Sequence, residues 1–128
     1  MTNIYIAGPL EPTKATICIP EIAEIVQSFD ATPMWGEASV EEADGVIVDL
    51  SEKQEALFRV LHAAKQHEKR TLITMAWSSQ SELPEEFMGM TAMRPDGVRY
   101  LHRDYGLLAV KVFMGAHYRK SIEPDLED

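Results

Sequence analysis

At 128 residues, with 45% apolar and 26% charged side chains, the chain holds enough material for one well-buried core and too little compositional bias for disorder, collagen or low complexity. Its formal charge of −9, from 12 basic and 21 acidic residues, argues against general nucleic-acid binding, which needs a basic footprint. No apolar run nears the roughly 20 residues that span a bilayer. The N-terminus shows neither a basic segment nor a cleavage signal. Cys18 is the only cysteine, so no internal disulfide can form. A cytoplasmic protein without a membrane partner is expected. The expected organisation is one α/β domain over residues 1–120 and a solvated acidic tail over 121–128.

Ile4-Tyr5-Ile6-Ala7 is a short β-rich run that stops at Gly8-Pro9, so it predicts a first, buried strand and a turn. Residues 10–19 show no clean period. Pro20 suits the first position of a helix, and Ile22, Ile25, Val26 and Phe29 then repeat at helical spacing, which predicts a helix over 20–29 laid on a sheet. Pro33-Met34-Trp35 is a candidate second strand. Ser39-Val40-Glu41-Glu42 matches a capping box and predicts a short helix over 40–44.

Val46 to Leu50 is apolar on both faces, which suits a central parallel strand covered on both sides. Ser51-Glu52-Lys53-Gln54 is a second capping box and opens a helix to about His67. Ala56, Leu57, Val60, Leu61 and Ala64 are its expected inner face. Thr71 to Trp77 predicts the next strand. Ser78 to Pro95 is mixed and is expected to be loop, with a short helix allowed at Pro84. Val98 to His102 alternates and predicts a last strand, followed by a helix capped by Asp104 from Tyr105 to about His117, although Val110 to Phe113 would also suit a strand.

Strands alternating with helices imply a parallel sheet with right-handed crossovers. The expected fold is a flavodoxin-like three-layer α/β sandwich with a mostly parallel sheet of four to five strands. Ligands of such sheets bind beyond the carboxyl ends of the strands. That rule selects Gly8-Pro9, Asp49 to Ser51, Ala76 to Ser79 and His102 to Asp104. No metal site is expected, because no Cys/His cluster has ligand spacing and His62 and His67 are five apart.

Two of the selected segments carry a resemblance. Ile4-Tyr5-Ile6-Ala7-Gly8-Pro9-Leu10 looks like the opening strand and Ala-Gly-Pro loop of the nucleoside 2-deoxyribosyltransferase-like family. Glu42 to Leu50 resembles that family's Ala-Asp-x-Val-Ile-x-Asp strand. The helix after Ser51 and the turn Glu68-Lys69-Arg70 continue in a similar register, so the resemblance spans about residues 4–77. It implies binding of a nucleoside or nucleotide, no cofactor, a homo-oligomer in which a neighbour's C-terminal segment closes the pocket, and a helix glutamate attacking the anomeric carbon. Gly8 would let backbone approach a sugar or phosphate, and Ser51 with the helix start would favour an anion.

At the nucleophile the sequence departs from the family. In an ungapped alignment that position is Val60, and the glycine one turn on is His62. Glu55 and Glu52 are the remaining candidates, with Asp49 orienting the sugar. Ala7, Gly8, Pro9, Leu10, Ser51, Trp35, Trp77 and Ser78 are the expected substrate-binding residues. Trp35, Trp77, Tyr5 and Tyr105 are aromatic enough to stack on a base, although such residues more often belong to cores. The alternative is a non-catalytic regulatory or nucleotide-sensing module. A receiver-like domain would place its phosphoacceptor at Asp49 and a hydroxyl at Thr74 or Ser78, but Ala7-Gly8-Pro9 stands where receivers hold an acidic pair for magnesium.

Overall fold

Side chains alternate along a strand, so Ile4 and Ile6 face one side and Tyr5 and Ala7 the other. All four are buried, and a strand buried on both faces needs a cover on each. The computed structural model describes residues 2–11, 17–37, 39–50, 55–74, 91–93 and 102–118. The elements run β1 (Asn3–Ala7), α1 (Ile19–Ser28), β2 (Thr32–Met34), a 3-10 turn (Val40–Glu42), β3 (Gly45–Asp49), α2 (Glu55–Gln66), β4 (Arg70–Thr74), β5 (Thr91–Met93) and α3 (His102–His117).

The five strands pair in the order β2-β1-β3-β4-β5, and every pairing is parallel. Helices α1 and α3 cover the face that carries Ile4, Ile6, Ile47 and Leu72. Helix α2 and the 3-10 turn cover the face with Tyr5, Ala7, Val46, Val48 and Ile73. This is the flavodoxin-like three-layer sandwich with a parallel sheet. Ile22 and Val26 of α1 and Leu61 of α2 are wholly buried, each contributing about 1.5–3 kcal/mol relative to exposure. Among the described residues no helix is long and apolar enough to cross a membrane.

Local chemistry fixes the helix ends. Glu21 Oε1 accepts the backbone N–H of Cys18 at 3.1 Å and its thiol at 3.3 Å, so Cys18 caps α1 and Pro20 falls in the first turn. Helices α1 and α2 both end on a residue in the left-handed region, Asp30 at φ 62° and Glu68 at φ 54°. The chain then folds back: the N–H of Ala31 donates to Val26 O at 3.3 Å and that of Lys69 to Ala64 O at 2.8 Å. Glycine usually occupies such positions.

The amino edge of the sheet is latched. Asn3 N–H donates to Asp44 Oδ2 at 2.7 Å, and Asp44 N–H donates to Asn3 O at 2.7 Å. The Tyr118 hydroxyl, arriving from the end of α3, donates to Asp44 O at 3.1 Å. Gly45 makes room for it, since a Cβ there would collide with the phenol oxygen and ring of Tyr118. Burial raises the Tyr118 phenol above its ordinary value of 10.0; the charge and hydrogen bond of Arg70 oppose this and Asp44 adds to it.

Several elements differ from expectation. The fifth strand is Thr91–Met93, inside the stretch expected to be loop, while 98–101 lie outside the described residues and His102 opens α3 rather than closing a strand. The helix expected over 40–44 is a single 3-10 turn, with Ser39 Oγ accepting Glu41 N–H at 3.1 Å. Ala56, expected on the inner face of α2, is exposed, whereas Leu57, Leu61 and Ala64 are buried there.

Candidate functional site

The chain leaves β1 through α1 on one face and leaves β3 through α2 on the other. The two connections part at the carboxyl ends of β1 and β3, which is where a doubly wound sheet opens its crevice. The register sets Ala7 opposite Val48 and Asp49 opposite Thr74. Gly8, Asp49 and Thr74 therefore form a row across the ends of three neighbouring strands.

Gly8 must be glycine for two reasons. Its φ is +154°, and a Cβ would stand 3.2 Å from Asp49 Cβ. The backbone of the first loop thus lies directly against the end of β3. Pro9 O accepts the N–H of Ile19 at 2.8 Å, tying the start of that loop to the start of α1. Leu10 stands out into solvent at 67% exposure.

Asp49 is wholly buried, and Thr74 beside it is 1% exposed. Thr74 Oγ1 donates to Asp49 Oδ1 at 2.6 Å. Leu50 N–H donates to Thr74 O at 2.8 Å, so the ladder runs one residue beyond β3. The carboxylate is fixed at the end of β3, held by the neighbouring strand. Carboxylate oxygens offer about four acceptor positions in all, and Thr74 takes one of them.

On the other side of β1, Tyr5 is buried and its hydroxyl donates to Gly36 O at 2.7 Å. Burial raises the phenol above its ordinary value of 10.0. Tyr5 is therefore a strut for the turn after β2, the core placement such aromatics more often take rather than a base-stacking ring. The same turn presents Trp35, 45% exposed. Trp35 and Leu10 follow the ends of adjacent strands and are two of the large apolar side chains left in solvent.

The other expected site residues divide clearly. Ala7 is buried within β1 and Glu55 is exposed at the first residue of α2. Val60 is half-buried and packs on the core beneath α2, while His62 is exposed. Ser51, Glu52, Trp77 and Ser78 lie outside the described residues. Thr74 is the member that sequence reading placed only in the receiver layout; the signal for it is its position at the end of the strand after the one that carries Asp49. Among the described residues no three His, Cys, Asp or Glu side chains are placed to hold a metal.

The strand order defines the class as a doubly wound α/β domain whose switch point falls between the carboxyl ends of β1 and β3. Compared with models of known protein families and with curated protein sequences, the chain matches none.

Proposed function

We propose that this protein binds a nucleoside or nucleotide in the crevice between Gly8 and Asp49. The contact of bare Gly8 backbone with the end of β3, at the point where the two crossovers part, is the observation that carries the reading. A glycine loop lets phosphate or ribose lie against main chain. The Asp49 carboxylate, held by Thr74 and buried at the end of β3, would accept a sugar hydroxyl once the connections around it open for the ligand. Trp35 provides an exposed ring of the kind that stacks on a base. The resemblance over residues 4–77 supports the same ligand class.

Bond cleavage is the second step of this reading, and it falls to Glu55. That carboxylate is exposed on the first turn of α2, directly after the connection from Asp49. In the retaining scheme it would attack the anomeric carbon and release the base, and water would then hydrolyse the ester. Val60 favours the regulatory alternative, in which binding itself is the function, because the residue at the family's nucleophile position is spent on packing.

One experiment separates the readings. Deoxynucleosides and deoxynucleotides are incubated with the protein, free base is followed by chromatography, and ligand-induced thermal shift is recorded in parallel. Base release that disappears in Glu55→Gln supports the transferase or hydrolase reading. A thermal shift without release supports a sensor. Neither signal with any compound overturns nucleotide binding.

A further inference from the structure

Helices α1 and α3 pack side by side on one face of the sheet. On α1 the spacing of Glu21, Glu24 and Ile25 puts them on one side of the helix, and on α3 Leu107 and Lys111 are one turn apart. The two sets meet across a cleft of about 270 Å³, which they line. None of these residues belongs to the row of Gly8, Asp49 and Thr74, so the cleft is separate from the carboxyl edge of the sheet.

The charged groups of the lining are not equivalent. Glu21 is committed, because its Oε1 accepts the Cys18 N–H and thiol at the start of α1. Glu24 and Lys111 are both exposed. Among the described residues neither of these two side chains enters an ion pair, although both border the same cleft. The apolar part of the lining is Ile25, which is buried, and Leu107, which packs on the core. The described lining thus offers one cation, one uncommitted anion and an apolar wall.

We propose that this cleft binds a small zwitterion, an α-amino acid with an apolar side chain. Its ammonium group meets Glu24, its carboxylate meets Lys111, and its side chain lies on Ile25 and Leu107. An apolar wall with a few polar groups that fix orientation is the usual make-up of a ligand pocket, and a volume just below the roughly 300–1,000 Å³ of such pockets calls for a small occupant. A ligand with one charge would satisfy only Glu24 or only Lys111. A zwitterion satisfies both, and being neutral overall it escapes the repulsion that an anion meets on approaching a chain of net charge −9.

Amide NMR shifts of the full chain, followed during titration with L-leucine, L-methionine and L-phenylalanine, test this. At least one of the three is expected to give saturable shifts at millimolar concentration, centred on residues 21–25 and 107–111. Glu24→Gln and Lys111→Met should each weaken that binding at least about tenfold, the scale of a hydrogen bond to a charged group, while circular dichroism shows both variants folded. With leucine as the ligand, 3-methylbutylamine and 4-methylpentanoate, which lack the carboxylate and the amine respectively, should each bind at least about tenfold more weakly for the same reason. Absence of saturable shifts with all three amino acids overturns the proposal. So does binding that survives Glu24→Gln and Lys111→Met together, which would place the ligand elsewhere, or an amine or acid that binds as tightly as leucine, which would make the site one for a single charge.

Discussion

The two ends of the sheet are built differently from similar materials. At the amino edge described groups are spent on one another: Asp44 on Asn3, Tyr118 on Asp44, and the missing side chain of Gly45 on the Tyr118 ring. At the carboxyl edge, Gly8 gives way to the end of β3, Thr74 holds Asp49, and the apolar side chains of Leu10 and Trp35 face solvent. A glycine in close contact means latch at one end and crevice at the other. The difference lies in what surrounds it. At the carboxyl edge the close contact leaves a buried, hydrogen-bonded carboxylate and two exposed apolar side chains at neighbouring strand ends.

Breaking the latch should give the largest effect. Gly45→Val drives a branched side chain into the Tyr118 ring and should lower stability by about 1–3 kcal/mol in urea unfolding, the usual cost of overpacking. Its ligand response should remain. Next comes the carboxyl edge: Thr74→Val leaves the buried Asp49 oxygen short of a donor, which should cost about 1–3 kcal/mol. Unlike Gly45→Val, it should also weaken nucleotide binding, measured by calorimetry. Tyr5→Phe removes the donor to Gly36 O and should cost about 1 kcal/mol, with the Trp35 fluorescence maximum shifting as its turn loosens.

The smaller effects sharpen the comparison. Glu68→Gly relieves a left-handed residue at the end of α2 and should raise stability by about 1 kcal/mol without touching the site. Tyr118 and Tyr5 both have phenols raised above 10.0 in the folded chain. Above pH 10 the unfolded chain loses these protons while the folded one keeps them, so stability falls as pH rises. Below that pH their contribution is complete. Thermal melts from pH 9 to 11 should show the decline, and Tyr118→Phe should reduce it.

The elements with strong periodicity were legible in the chain. Ile22, Ile25 and Val26 mark α1, and the doubly apolar run from Val46 marks β3; the juxtaposition of Gly8 and Asp49 at neighbouring strand ends follows from the parallel order of the sheet. The fifth strand was hidden because Thr91–Met93 is too short to show a period, and of the strand expected over 98–102 only His102 is described, where it opens α3. Tyr5 read as a stacking candidate because nothing local reveals that its hydroxyl reaches Gly36, 31 residues away. The latch was invisible for the same reason, since Tyr118 meets Asp44 across 74 residues. Val60 shows the converse. Its position against the core explains a valine there without any reference to catalysis.

The most direct test of the central claim is a comparison of nucleotide-induced thermal shift in three proteins: wild type, Gly8→Ala and Tyr118→Phe, each checked for folding by circular dichroism. The expected result is a rise in Tm for wild type and Tyr118→Phe with the same deoxynucleotide, and none for Gly8→Ala. A Gly8→Ala protein that responds as the wild type does would contradict a site at the β1/β3 crevice.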